Sequence, residues 1–486
     1  MPVSQLTPRR RLVVLGICCM SLLIVSLDNT ILNVALPSMG RELNATVSGL
    51  QWTIDAYTLV LASLLMLAGS TADRIGRRRV FLAGLVIFTL GSALCSAAPS
   101  LELLVVFRMV QAVGGSMLNP VAMSIITNTF TDPVERARAI GIWGGVVGIS
   151  MAAGPLVGGV LVDSVGWRSI FWVNIPVGLL ALVLTFRYVP ESRAPEPRRF
   201  DPVGQLLIIA LLGATTYAII ETDAVAAVIA VLALAGVVWY EPRRREPLID
   251  LRFFRSAPFS GATVIAIAAF AALGGFLFMN TLYLQDVRGY DALHAGLYTL
   301  PMAAVTLVAA PLSGRLVGSV GPRTPLLIAG VTMAASGVLF AAFDAASSNT
   351  LLFTAYVLFG VGFGMVNAPI TNTAVSGMPR AQAGVAAAVA STSRQIGQTL
   401  GVAVIGTVLA AGVTIGLGTV ARGADYADRF AAASRPAWWI IAGCGALVLL
   451  VGALTTGRWA RSTALGCAGR LAAGDRDQER VSRAPG

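Results

Sequence analysis

Fourteen apolar stretches, most about twenty residues long, constrain this chain more than any other feature. They fall at about 12–36, 50–70, 80–98, 102–126, 139–162, 170–189, 203–221, 224–240, 259–284, 293–313, 324–343, 350–372, 382–412 and 437–457. A hydrocarbon layer about 30 Å thick takes about 20 apolar residues per helix, and only helices or closed barrels satisfy their backbone there. The chain therefore reads as an all-α membrane protein with fourteen spans. Composition agrees: 56% of the 486 residues are hydrophobic and 12% charged, against ~25% charged in soluble domains. The first stretch carries Asp28 and lacks a small-residue cleavage site, so it reads as a span and not as a cleaved leader. The segment 203–240, interrupted only at Glu221 to Ala224, either crosses twice or lies re-entrant and leaves twelve spans.

All 35 basic residues are arginine. With the N-terminus inside, twenty-seven fall in cytoplasmic segments and six outside, while Arg108 and Arg394 lie within spans. Such a bias orients membrane chains, and it places both termini in the cytoplasm. The net charge of +11 is thus a topological signal and not the basic face of a nucleic-acid binder, so no nucleic-acid partner is expected. Five scattered cysteines and the single His294 give no metal-ligand or disulfide spacing, and neither metal nor cofactor is expected.

The chain repeats itself weakly. Gly69 and Gly76 align with Gly314 and Gly321, Asn119 with Asn367, and Pro133 with Pro379, at offsets of 245, 248 and 246. Two related six-helix bundles follow, as in transporters built from parallel repeats. The expected layout is a first bundle over 1–190, linkers and two extra spans over 191–258, a second bundle over 259–457, and a disordered cytoplasmic tail over 458–486.

The loop Gly69-Ser70-Thr71-Ala72-Asp73-Arg74-Ile75-Gly76-Arg77-Arg78-Arg79 resembles the hallmark between the second and third helices of the major facilitator superfamily. Four ordered segments narrow the resemblance to its fourteen-span drug:proton antiporters: Ser26 to Pro37 in the first helix, Gln51 to Tyr57 in the second, Gly154 to Gly159 in the fifth, and Trp167 to Pro176 at the start of the sixth. The resemblance runs from about 12 to 457. It implies a major facilitator fold, with the two extra helices between the bundles.

Three charges stand where lipid should forbid them. An acid at a helix centre costs about 2.5–3.5 kcal/mol on insertion scales, so it usually faces a cavity or a partner. Asp28 and Asp55 are then either proton or substrate-charge sites, or acids that merely hydrogen-bond near a helix end. Arg108, always charged, needs a carboxylate or several carbonyls nearby. Its Arg108-Met109-Val110-Gln111-Ala112 matches the family pattern R-x-x-Q-G except for the last residue. The resemblance ties both acids to substrate or proton handling and Arg108 to proton transfer; a structural ion pair is the competing reading. Arg394 with Gln395 poses the same question.

Asp73, Arg74, Gly76, Arg77 and Arg78 read as a gating set, with Glu135, Arg136 and Arg138 as available partners. The competing reading is that these arginines only orient the chain. Gly154, Pro155, Gly158 and Gly159 combine a proline that kinks a helix with small residues that let a neighbour approach. The resemblance implies that this packing seals the inner side of antiporters; ordinary helix packing is the plainer reading. Gln111, Asn119, Asn367 and Arg394 are candidate cavity-lining residues. Trp52, Tyr57, Trp143, Phe276, Met279 and Tyr283 are an aromatic wall or simply packing. Glu221, Asp286, Asp163 and His294 read as solvated.

No G-x-x-x-x-G-K-[ST] loop is present, so an ion gradient must drive any transport. The sequence thus points to a non-enzymatic, proton-coupled exporter of lipophilic, cationic or antibiotic-like compounds. Its expected partners are the small molecule, protons and membrane lipids, with the chain a monomer in the cell membrane. A proton symporter importing a nutrient is the alternative, and a membrane sensor without transport the more distant one.

Overall fold

A computed structural model describes residues 7–194, 200–244, 247–343, 347–376, 378, 383–416 and 424–469. Arg198, Arg199, Arg245, Pro379, Arg380 and Arg422 lie outside them. Among the described residues, fourteen helices are long and apolar enough to cross a membrane. The first six are α1 Pro8–Glu42, α2 Val47–Ile75, α3 Arg77–Ser96, α4 Leu101–Thr129, α5 Pro133–Ser164 and α6 Ser169–Tyr188. Two more follow, α7 Pro202–Ile220 and α8 Ala224–Tyr240, so the segment 203–240 supplies two spans. The last six are α9 Ala257–Leu282, α10 Ala292–Val320, α11 Arg323–Ala341, α12 Asn349–Val375, α13 Ala383–Gly416 and α14 Ala424–Thr455.

Side-chain caps start many of these helices. Thr7, Thr46, Ser100, Asp132, Asp201, Asp223, Asp291 and Ser348 each accept a backbone N–H from the first turn of the helix they precede. Such caps satisfy donors that a helix start leaves open. Several helices outrun their apolar stretches. α14 begins at Ala424 and not near 437, so Arg429 and Arg435, expected in a loop, are helical.

The alignment of Gly76 with Gly321 has a backbone counterpart. Both residues sit at positive φ, 121° and 87°, where α2 and α10 end and the next helix turns back. That conformation is open to glycine and strained for other residues.

Successive helices alternate direction, which puts Arg9 to Arg11, Arg74, Arg77 to Arg79, Arg136 and Arg138 on one face. Contacts bear this out: Arg11 pairs with Glu135 at 3.2 Å, and Arg10 donates to the Tyr188 carbonyl. We call this the arginine face.

The two six-helix halves meet along two seams. In one, α2 packs on α13: Gln51 Nε2 donates to the Val402 and Ala403 carbonyls at 3.1 and 2.8 Å, and Thr399 donates to Thr58 at 2.8 Å. In the other, α5 packs on α10. A Cβ built on Gly159 would lie 2.5 Å from Leu293 Cα, and one on Gly296 would lie 2.3 Å from the Pro155 carbonyl oxygen. Asp163, expected to be solvated, is exposed but accepts the backbone N–H groups of Ala292 and Leu293 at 3.2 and 2.8 Å. Asp286 stands 3.7 Å from Arg41.

These seams close the side remote from the arginine face. Towards the arginine face α5 and α10 part. A Cβ on Gly148 would still meet Leu307 at 2.7 Å, but Gly141, two turns on and on the same side of the helix, meets nothing within 4 Å. Gly314, two turns beyond Leu307, is equally open. The cleft between the halves therefore opens towards the arginine face.

α7 lies over the α2–α13 seam and is tied to both halves. Gln205 donates to the Ser63 carbonyl at 2.7 Å, and Thr407 of α13 to the Ile219 carbonyl at 3.0 Å. Glu221, expected to be solvated, accepts from Trp52 Nε1 at 2.7 Å. α8 packs on α7 and turns residues such as Val225, Val231 and Leu232 outward. The disordered tail expected from residue 458 needs correction. Residues 458–469 form a helix, α15, that buries Ala460, Ala464 and Cys467. Its Thr463 hydroxyl accepts the Ala257 N–H at 3.0 Å and so caps α9. Residues 470–486 lie outside the described set.

Candidate coupling and transport site

Asp28, Arg108 and Gln111 come together inside the first bundle. Asp28 is 1% exposed and Arg108 is fully buried, with Arg108 Nη1 2.5 Å from Asp28 Oδ2. The same Nη1 donates to Gln111 Oε1 at 2.7 Å, and Gln111 Nε2 returns to Asp28 Oδ1 at 2.8 Å. Arg108 Nε reaches the Thr53 carbonyl at 3.3 Å, and the guanidinium lies 4.2 Å from the Tyr57 ring centroid. Three residues that did not stand out in the sequence complete the network. Asn174 Nδ2 donates to Asp28 Oδ1 at 2.8 Å and to Ser92 Oγ at 3.1 Å, Gln111 Nε2 donates to Ser92 at 2.7 Å, and Cys95 Sγ lies 3.8 Å from Gln111 Oε1. The one signal for Asn174 was its place in the segment Trp167 to Pro176.

Two polar atoms of this cluster have no partner, Arg108 Nη2 and the Tyr57 hydroxyl. Removing one member of a buried ion pair typically costs 3–5 kcal/mol, because the other charge is left uncompensated.

Asp55 is fully buried in the α2–α13 seam, one turn from Gln51 and from Thr58, both of which touch α13. Neither carboxylate oxygen has a hydrogen-bond partner, since the Thr58 hydroxyl donates to the Ile54 and Asp55 carbonyls instead.

Between the halves lies a narrow cleft lined by Thr30, Asn33, Pro155, Asn280, Thr299 and Met302, with a cavity volume of about 20 Å³. Its polar lining is neutral. Asn280 accepts the Tyr356 hydroxyl at 2.6 Å and keeps an unpartnered Nδ2. Asp28 does not reach this cleft: its partners are on α4 and α6. Gln111 is likewise committed to the buried network. Asn119 and Asn367 are both half-buried, and Asn119 Oδ1 lacks a donor.

The glycine motif of α5 works on two neighbours. Gly154 and Gly158 press on Thr30 and Ile31 of α1, while Pro155 and Gly159 press on α10. This differs from the inner-side seal that the resemblance implies: in this structure the motif closes the half remote from the arginine face. Among the proposed wall aromatics, Phe276 is fully buried and stacks on Phe359 at 4.4 Å, inside the second bundle. Met279 is buried beside it in chain order, and Trp52 is engaged by Glu221. Packing accounts for these three.

The loop after α2 binds the segment after α6. Asp73 pairs with Arg77 at 2.8 Å, Arg77 N donates to the Ser192 carbonyl at 2.9 Å, and Ala194 N to the Asp73 carbonyl at 3.1 Å. Arg78 N donates to Glu191 Oε1 at 3.1 Å, and Arg78 Nη2 to the Phe186 carbonyl at 2.5 Å. Arg74 is exposed. Glu135, expected as a partner for this loop, pairs with Arg11 because the start of α5 faces α1. A Cβ on Gly76 would lie 2.6 Å from the Glu191 carboxylate, and the residue already has φ 121°. Gly76→Ala is accordingly expected to slow transport several-fold at normal membrane abundance, measured as initial efflux rate against immunoblot level.

The sequence profile described as Major Facilitator Superfamily matches residues 18–402. Curated relatives include the multidrug resistance protein Stp of Mycobacterium tuberculosis, 40% identical over 83% of this chain and 76% of the relative. They also include the tetracenomycin C resistance and export protein of Streptomyces glaucescens, 36% identical over 85% and 77%. The multidrug efflux pump LfrA of Mycolicibacterium smegmatis is 35% identical over 84% and 83%. Among solved structures, a bacterial homologue of the human lysosomal transporter Spinster superposes with a TM-score of 0.66 at 20% identity, over 95% of this chain and 99% of that one. A D-xylose–proton symporter gives 0.66 at 14% identity, over 91% and 97%. With two six-helix halves around one cleft, a profile match across most of its length and efflux proteins among its relatives, this chain belongs to the major facilitator superfamily of membrane transporters.

Proposed function

We propose that the protein is a proton-coupled antiporter that exports lipophilic, antibiotic-like compounds across the cytoplasmic membrane by alternating access, acting as a monomer with both termini in the cytoplasm. The observation that carries the coupling is the buried Asp28–Arg108 pair with its ring of Gln111, Asn174 and Ser92. The resistance and export roles named for relatives support the direction. The arginine bias makes the arginine face cytoplasmic, so the cleft in this structure opens inward.

The chemistry follows from charge balance. A proton reaching Asp28 Oδ2 removes the anion from Arg108 and frees the guanidinium to shift toward the Thr53 carbonyl and the Tyr57 ring, carrying strain from α1 to α4 and α2. Asp55 is a second proton site: a buried carboxyl with no paired cation and no hydrogen bond to its oxygens is accommodated when it carries the proton itself. It stands in the α2–α13 seam, which must break when the cleft changes sides. Each proton returning down a 100 mV potential supplies about 2.3 kcal/mol.

The importing reading uses the same fold and is disfavoured by what its relatives are named for. Everted membrane vesicles decide between them. On energisation they should accumulate a lipophilic aromatic probe such as ethidium or an aromatic acid, and a protonophore should abolish it. Proton-driven sugar or amino-acid uptake into whole cells, with no probe accumulation in vesicles, would establish the importer.

A further inference from the structure

Resting on the export reading, we infer that the transported compound carries an ionised acidic group, and that Arg394 receives it. Arg394 lies on α13 on the arginine-face side of the cleft and is only partly buried. Its Nη2 donates to the Thr371 hydroxyl at 2.6 Å, and its Nε has no acceptor. Among the described residues no carboxylate forms an ion pair with it, in contrast to Arg108. A guanidinium carries five donors in a planar fork and is always charged, so this one is under-used by the protein around it.

The Nε is itself buried, while the Nη2 contact with Thr371 is exposed. Thr371 is exposed and lies on the same side of α12 as Asn367, one turn away, and as Gly364, which faces α10. At Gly364 that side packs on α10, and at Thr371, two turns nearer the arginine face, it is exposed. The Phe270 ring centroid is 6.0 Å from the guanidinium, and Phe270 meets Phe363 edge-on at 5.2 Å. A flat apolar body bearing a carboxylate or phenolate matches this arrangement, with rings against Phe270 and two oxygens in the guanidinium fork.

A cation finds no such reception. Asp28 is turned into the first bundle and neutralised by Arg108, Asp55 is sealed in the seam, and the deeper cleft offers only neutral amides and hydroxyls. An inside-negative membrane potential also favours the exit of an anion.

The test compares 1-pyrenebutyric acid, its neutral amide and ethidium in everted vesicles bearing wild-type, Arg394→Gln or Arg394→Lys protein. The expected result is transport of the acid in preference to both other probes. Loss of the charge-assisted contact should lower transport of the acid about tenfold in the Gln variant, with partial recovery in the Lys variant, and lower amide transport far less. Equal or better transport of ethidium or the amide by wild type, or an equal loss of all probes in Arg394→Gln, would overturn the inference while leaving the export reading intact. Failure of wild type to move any of the three would remove both.

Discussion

Asp28→Asn should abolish pH-gradient-driven transport and lower the thermal stability of the purified protein. The two effects have separate causes, and a second variant separates them. The substitution leaves Arg108 fully buried beside neutral amides, and an uncompensated buried charge costs about 3–5 kcal/mol. Adding Arg108→Gln removes the orphan, and replacing both members of a buried pair is often near neutral for stability. The double variant should therefore regain much of the lost melting temperature in a detergent thermal-shift assay and still fail to couple transport to protons. A purely structural pair would behave otherwise, with transport returning together with stability. Wild-type transport in Asp28→Asn would remove the residue from the mechanism.

The second large effect is expected at the α5–α10 seam. Gly159→Val places bulk where even a Cβ lies 2.5 Å from Leu293 Cα and 2.8 Å from the Ala292 carbonyl oxygen. These are backbone atoms, so no rotamer change relieves the clash, and the helices must separate. The seam that closes the side remote from the arginine face then cannot form, and the transporter is held out of the conformation described above. Transport should fall more than about tenfold at normal membrane abundance, a barrier change above about 1.4 kcal/mol. A single cysteine at Met302, in a background without the five native cysteines, reports the shift. Labelling by an impermeant maleimide from the outside should rise in Gly159→Val. Unchanged labelling with full transport would mean that the seam is not a gate.

Much of this architecture was legible in the sequence because hydrophobic length and arginine bias are properties of single segments. The fourteen spans, the repeat of Gly76 at Gly321 and the membership of Asp28 and Arg108 in one class of residue all follow from local pattern. What the sequence could not show is pairing. Asp28 and Arg108 are 80 positions apart, and nothing local says that the acid turns towards α4 and away from the cleft. Asn174 and Ser92 look like ordinary polar residues in helices until the fold brings Asn174 to the Asp28 carboxylate and Ser92 to Asn174 and Gln111. Glu221 and Asp163 read as solvated because they stand near helix ends, yet the fold uses them to fasten one element to another. The glycine motif shows the same limit: its small residues announce close packing, while the neighbours, α1 and α10, and the side they seal depend on which way the cleft faces.

The central claim is exchange of protons for substrate through Asp28. Everted vesicles with a preformed acid interior, followed with acridine orange, test it most directly. Adding a compound that the protein transports should collapse the gradient in wild-type vesicles, because each compound taken up releases protons, and should leave it intact in Asp28→Asn vesicles. Uptake of the compound with no loss of the gradient in wild type, or equal collapse in both, would contradict the account.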